Sequence, residues 1–431
     1  MKKLGLLGVV ALMSASGAAH AVDTSMIKFE GNARLKYQSD NRVDYQNNRR
    51  YTLLRVRPGM TVTPNSKTSL VIVPQFAKAL GEPTHISSST TANTEVSTSG
   101  SSSLGAHGEF GVYEAYVGWQ PLGWSEFYFG RQSLKYGDGL VIGQGNWGNH
   151  GRSFDALRAR AKYGLGWSDL LFSKIKEYNT SDSSTIERGD KDLWALYSSW
   201  DLGQYFKNVD PYVFYQRDRS SFNSAVKSDR YIADHLWTVG ARLRSDVEKF
   251  DYRLEVNKQY TYYTGKDGVQ LNGDQQNVEL GYNFDCECKP RVAVEWFRAS
   301  RNYRELYPTT NEFLGRADLF GRRNIMGFGI KTSGSAGDDW SWGFDYYNFS
   351  RERSSHTAYR TNGTTSLGGA QLGVSRFLGH EFDLGLKYQA NKNLDFKAGY
   401  NHFVSSKNST LRKLNGYTHA GMAFLAMEMK Y

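Results

Sequence analysis

The feature that most restricts this chain is a two-residue alternation of apolar and polar side chains, repeated in segments of about ten residues. In 27–37, Ile27, Phe29, Ala33, Leu35 and Tyr37 share one face, while Lys28, Glu30, Asn32, Arg34 and Lys36 share the other. The stretch 250–257 repeats the pattern, with Phe250, Tyr252, Leu254 and Val256 against Asp251, Arg253, Glu255 and Asn257. So does 381–389, where Phe382, Leu384, Leu386 and Tyr388 oppose Glu381, Asp383, Lys387 and Gln389. Successive strand side chains point to opposite faces, so each segment makes one greasy and one wet surface. Helical spans are excluded. Beyond residue 21 the longest unbroken apolar run is Met422 to Met427, six residues, where a spanning helix needs about 20. A soluble sandwich also alternates, so the local pattern by itself leaves two architectures open.

The connectors decide between them. Strands are expected near 27–37, 51–62, 68–76, 109–119, 125–133, 153–163, 168–176, 191–201, 209–218, 234–244, 250–260, 273–284, 291–301, 323–332, 339–350, 379–389, 394–404 and 417–431. Eighteen is an even number, as single-chain bacterial barrels have. Gaps alternate between long and polar (77–108, 134–152, 302–322, 351–378) and short (63–67, 120–124, 164–167, 390–393). Long loops outside and short periplasmic turns inside are the asymmetry of a transmembrane antiparallel β-barrel. The chain ends on Tyr431, with Met429, Met427 and Leu425 on its face and Lys430 and Glu428 on the other. A soluble domain rarely leaves such an apolar edge bare. The terminal aromatic on an alternating strand resembles the signal read by the barrel-assembly machinery.

The N-terminus carries Lys2 and Lys3, an apolar stretch from Leu4 to Met13, and Ala19-His20-Ala21. This is the layout of a cleaved secretory signal peptide. It leaves residues 22–431 as one outer-membrane barrel domain, mature from Val22. The chain has a formal charge of +10 and contains 10 Trp, 28 Tyr and 23 Phe but only 2 Cys. Aromatic content this high excludes a disordered chain and suits an interfacial girdle better than a nucleic-acid stacking platform. Two cysteines exclude a disulfide scaffold. Cys286 and Cys288 fall in a short turn, where a tight disulfide is open and a two-thiol metal site is not expected. No cofactor or metal motif is present, and no partner nucleic acid is expected.

One region carries a family resemblance. Gly130-Arg131-Gln132, Tyr136-Gly137-Asp138, Gly143, Trp147 and Gly151-Arg152-Ser153-Phe154-Asp155 resemble the alginate export family of outer-membrane proteins. The specific part covers about 25 residues, one loop and its flanking strands. The rest of the likeness is architectural. Membership implies a channel for an anionic polysaccharide, within a broader group of porin-like proteins. Where the family typically has Gln-Arg after the Tyr-Gly-Asp step, this chain has Gly139-Leu140.

Inward faces can be read from the alternation. Segments one, two, four and six carry Lys28, Arg34, Lys36, Arg55, Arg57, Arg158, Arg160 and Lys162 against Glu30 and Glu114. Segments eleven to eighteen carry Arg253, Arg291, Lys387, Lys397 and Lys430. Their acidic counterparts are Asp251, Glu255, Glu279, Glu295, Asp345, Glu381, Asp383, Asp395 and Glu428. A basic wall facing a mildly acidic one is therefore expected. Charged rows set selectivity in pores, and arginine's planar fork suits carboxylates. Face and resemblance together give a substrate path of Arg34, Lys36, Arg55, Arg57, Arg158, Arg160, Lys162, Arg131, Arg152, Asp155, Glu255 and Glu295. Arg131 falls in phase with Phe127 and Phe129, which places it at a strand end or bulge. The loop 134–152 is the expected constriction, through Tyr136, Asp138, Asn146 and Trp147.

The expected function is an outer-membrane channel, not an enzyme, passing anionic saccharides, sugar acids or small anions. Outer-membrane lipid and lipopolysaccharide are the expected surroundings. Other readings stay open: lumen charges that merely pair across strands, a loop that touches lipopolysaccharide, a general porin, or an adhesion barrel. A hydrolase built on His150, Ser153 and Asp155 is disfavoured, because no Gly-x-Ser-x-Gly elbow occurs.

Overall fold

The computed structural model describes residues 26–42, 48–80, 110–177, 190–219, 234–263, 270–309, 311–367, 375–409, 411–412 and 416–431. The expected signal peptide, the start at Val22 and most of the 77–108 loop lie outside these residues. Eighteen strands run in chain order: β1 (Ile27–Asp40), β2 (Arg49–Asn65), β3 (Thr68–Leu80), β4 (Phe110–Leu122), β5 (Ser125–Gln132), β6 (Phe154–Tyr163), β7 (Gly166–Lys176), β8 (Lys191–Trp200) and β9 (Asn208–Asp218). They continue with β10 (Asp234–Val247), β11 (Phe250–Tyr263), β12 (Gln270–Asn283), β13 (Arg291–Ala299), β14 (Ile325–Ala336), β15 (Trp340–Ser350), β16 (Phe377–Asn391), β17 (Leu394–Ser405) and β18 (His419–Lys430). Every strand pairs antiparallel with its neighbours, and β1 closes on β18, from Asn32 opposite Lys430 to Asp40 opposite Met422. Closure removes the sheet edge that an isolated apolar terminal strand would leave. At the seam Gly31 exchanges two backbone hydrogen bonds with Tyr431, at 3.0 and 3.1 Å. A Cβ on Gly31 would lie 2.6 Å from the Tyr431 ring, so the seam needs glycine there.

The strands sit where the alternation put them and run a few residues longer at several ends, because the ladder continues into the turns; β2 and β3, for example, pair down to Asn65 and Thr68. The greasy face points outward: Phe29, Leu157, Leu170, Trp237, Val294 and Leu425 are exposed on the outer wall. The inner wall is less uniformly wet than the alternation suggests. Two apolar clusters lie inside the barrel. One joins Leu134, Tyr136 and Ile142 of the β5–β6 loop to Leu171, Leu193, Ala195, Tyr197 and Phe214 on β7–β9. The other joins Leu314, Ala317 and Phe320 of the β13–β14 loop to Phe297, Tyr347, Phe349 and Phe403 on β13, β15 and β17. Two long loops are therefore packed into the lumen on greasy patches of its wall.

Candidate functional site

The β5–β6 loop crosses the lumen as a strap. It starts at Tyr136, whose ring stacks on Tyr197 at 4.5 Å and whose hydroxyl donates to Asp169 at 3.3 Å. Burial raises the Tyr136 phenol above its ordinary value. Gly137 turns the chain with φ of +56°, and a Cβ there would sit 2.7 Å from Arg242 Cδ. The turn delivers Asp138 to β10, where its carboxylate accepts from Arg242 at 2.8 and 3.1 Å, with Arg244 at 3.4 Å and Arg253 at 3.7 Å. Burial alone would raise this carboxyl. The guanidiniums, Arg242 first, hold it below the usual range. Arg242 also binds Asp210 at 2.6 Å, so one buried arginine ties the loop to β9 and β10.

In mid-lumen the strap locks onto the β13–β14 loop. Gly143 N donates to Tyr307 O at 2.7 Å, Tyr307 N to Val141 O at 2.9 Å, and Thr309 N to Gly139 O at 2.8 Å. Arg152 adds bonds to the carbonyls of Gly143 at 3.1 Å and Pro308 at 2.9 Å, and its burial lowers its pKa. The second loop is in turn held by β16: Ala317 N donates to Glu381 at 2.7 Å and Arg316 N to Asp383 at 2.9 Å. At the root of that loop Glu305 accepts from Arg322 N, and burial pushes its carboxyl up to about 7.

The strap ends against the basic wall. Arg34 donates to the carbonyls of Asn146 at 2.9 Å and Gly148 at 2.8 Å, and Arg55 reaches the same two at 3.1 and 3.3 Å. Arg57 binds Asn146 Oδ1 at 2.9 Å and His150 O at 2.7 Å, stacked 3.5 Å over the Tyr113 ring. Lys36 Nζ lies 3.9 Å from the Trp147 ring centre and donates to its carbonyl at 3.2 Å. These four cations hold the loop through its carbonyls, the Asn146 amide and the Trp147 ring. Below the two joined loops, at the short-turn end, opens a cavity of about 1020 Å³. Arg34, Lys36, Arg55, Arg57, Asn146 and Trp147 line one side; Arg316, Lys331, Asp345 and Lys397 line the other. Its lining has eight Lys and Arg side chains against five carboxylates, Glu30, Glu114, Glu312, Asp345 and Glu428.

The remaining path candidates fall elsewhere. Arg158 stacks over Tyr128 at 4.1 Å, and Arg160 over Trp167 at 3.8 Å. Asp169 neutralises Arg160 with bonds of 2.6 and 2.8 Å, and Lys162 pairs with Glu126. None of these three lines the cavity. Glu255 is buried and accepts from Tyr212 at 3.0 Å. Glu295 is buried between Arg253 at 3.2 Å, Asn277 at 2.7 Å and Lys331 at 3.4 Å. Arg131 and Asp155 need correction: they form a bidentate pair at 2.7 Å on the outer surface, since they continue the outward phase of Phe129 and Leu157.

The expected opposition of a basic and an acidic wall also changes. The basic strands β1 and β2 stand beside β18 in the closed sheet, and Glu279 and Glu295 are balanced by Arg253, Arg291 and Lys331. Lys331 on β14 and Arg316 on the inserted loop were absent from the sequence count. The residues of the disfavoured hydrolase are dispersed: Ser153 Oγ donates to Tyr113 O at 2.5 Å, while Asp155 is taken by Arg131 outside the barrel. Cys286 and Cys288 are both exposed free thiols.

Comparison with known proteins agrees with this architecture. No curated protein sequence matches the chain. Among solved structures it is similar to the Acinetobacter baumannii protein OccAB2, with a TM-score of 0.62 at 10% identity, covering 94% of this chain and 98% of that one. The Pseudomonas aeruginosa outer-membrane protein OpdK gives a TM-score of 0.60 at 9% identity, covering 94% and 98%. OccK2 of P. aeruginosa, solved in complex with glucuronate, gives 0.58 at 7% identity, covering 94% and 96%. At such identities the likeness is one of fold. The sequence model for alginate export proteins matches residues 29–408. The chain belongs to the alginate export family of bacterial outer-membrane β-barrel proteins.

Proposed function

We propose that the barrel is a passive outer-membrane channel for anionic solutes, with sugar acids and short uronate oligomers as its substrate class. The observation that carries this reading is the excess of cations in the cavity lining, eight Lys and Arg side chains against five carboxylates, with Arg34, Arg55 and Arg57 gathered at the loop. Cations matched one for one by acids would leave a wet but neutral lumen; this excess leaves a positive one that concentrates anions. Trp147 and Asn146 add a ring and an amide beside the same charges, groups that stack on and hydrogen-bond to a sugar. Two structural neighbours support the class, being OpdK solved with vanillate and OccK2 with glucuronate, both carboxylates. A buried leucine at position 140, where the family typically has arginine, and the two interlocked loops favour small or short anions over a long alginate chain.

On this reading residues 1–21 are the export leader, the barrel domain follows, and the strand ending at Tyr431 is the handle for the assembly machinery. The test is single-channel current across a planar bilayer with glucuronate added to one side. Millimolar glucuronate should give resolvable, concentration-dependent interruptions of chloride current, and glucose at the same concentration should not. Open current insensitive to both would make the barrel a general porin.

A further inference from the structure

The chain has two cysteines among its 431 residues, and both stand in the β12–β13 turn, in the order Asp285-Cys286-Glu287-Cys288-Lys289. Neither has any other thiol of this chain to pair with. The turn is closed twice by its own backbone: Phe284 N donates to Pro290 O at 2.8 Å, and Lys289 N to Cys286 O at 2.8 Å. The second bond makes Cys286 to Lys289 a β-turn with the cysteines at its first and third positions. Cα atoms so placed are about 5.5 Å apart, within the span of a disulfide. The end of β14 holds the turn from the side, where Cys288 O accepts from Ser335 N at 2.9 Å. Both cysteines are exposed, as are Asp285, Glu287 and Lys289 around them.

A bond between the two thiols would do little for stability. A disulfide stabilises in proportion to the loop it closes in the unfolded chain, and here only Glu287 lies between the cysteines. The bond would instead close a small ring in full view of solvent. Strained or exposed disulfides are the labile ones that exchange, whereas structural disulfides resist reduction by glutathione. The short turns of an outer-membrane barrel face the periplasm, a compartment that oxidises thiols.

We propose that Cys286 and Cys288 are a redox-active pair that exchanges two electrons with the thiols and disulfides of the periplasm. In the oxidising direction one cysteine thiolate attacks a sulfur of an incoming disulfide, forming a mixed disulfide and releasing one thiol. The second cysteine then attacks the first, closing the Cys286–Cys288 bond and releasing the other thiol. The pair loses two electrons and two protons, and the incoming disulfide becomes two thiols. A thiol attacking the closed bond runs the same steps in reverse. The exchange is separate from solute passage, since neither cysteine lines the cavity.

Intact-mass spectrometry of the folded, detergent-solubilised barrel in glutathione buffers tests this, with acid quenching and alkylation by N-ethylmaleimide. Oxidised glutathione should leave no maleimide and no glutathione on the wild type. An excess of reduced glutathione should then restore two maleimide adducts. In Cys286→Ser and in Cys288→Ser the remaining thiol has no neighbour to resolve the mixed disulfide, so its glutathione adduct should persist about tenfold above wild type. Both positions lie in an exposed turn outside the strand ladder, and either variant alone gives the readout. Two maleimides after oxidised glutathione, a bond that excess reduced glutathione leaves intact, or adducts as lasting on the wild type as on the variants would each overturn the assignment.

Discussion

Replacing Arg34, Arg55 and Arg57 together by glutamine is expected to abolish the anion preference of the channel and its block by glucuronate. A unit charge about 6 Å from an ion's path is worth about 0.7 kcal/mol even at the dielectric of water, or about threefold in local anion concentration. Three such charges, discounted for screening, amount to about tenfold in the anion-to-cation permeability ratio. The glutamines keep donors for the carbonyls of Asn146 and Gly148, so the strap should stay seated. The corresponding triple lysine variant separates charge from anchoring: it preserves charge but lacks the planar fork, so it should retain selectivity while the loop loosens. Permeability ratios from reversal potentials measure both. Unchanged selectivity in the glutamine variant would mean that the charge at this wall does not govern the ion path.

The second large effect concerns the other end of the strap. Arg242→Ala should raise unitary conductance and current noise while keeping the sign of selectivity. Arg242 is nearly buried and holds both Asp138 and the buried Asp210. Removing one member of such a network leaves its partners charged and unpaired, which costs about 3–5 kcal/mol. The closed strand ladder does not depend on this contact, so the loss should fall on the loop: Asp138 would leave β10 and the lumen would widen. Arg242→Lys should lie between, since one ammonium cannot reach both carboxylates with a fork. Wild-type conductance in Arg242→Ala would show that the lock onto the β13–β14 loop suffices to hold the strap.

Strand positions and faces were legible because a period of two is a local property; Arg34, Lys36, Arg55 and Arg57 could be assigned to the lumen from their neighbours alone. Arg131 was misplaced. Its phase with Phe127 and Phe129 suggests a strand end or bulge on the substrate path, whereas the strand continues regularly and puts it on the outer face. The filled lumen left a weaker trace. Leu193-Trp194-Ala195-Leu196-Tyr197 on β8 does not alternate, and a strand greasy on both faces must be covered on both. The β13–β14 loop left none. Arg316 and Ala317 are held by Asp383 and Glu381, 67 and 64 residues away, and no local pattern announces a contact between a loop amide and a distant strand carboxylate. The same distance hid the role of the basic wall, whose arginines turned out to clamp residues about 90 to 114 positions along the chain. Sequence supplied their face and charge; what that charge rests against required the fold.

The central claim is that the excess of cations over carboxylates in the cavity lining leaves the lumen positive. The reversal potential of the wild-type barrel in a planar bilayer under a potassium chloride gradient tests it most directly. The account predicts a potential of the sign set by chloride, shrinking as ionic strength rises and the lumen charges are screened. A potential of the sign set by potassium, or none at low salt, would contradict it.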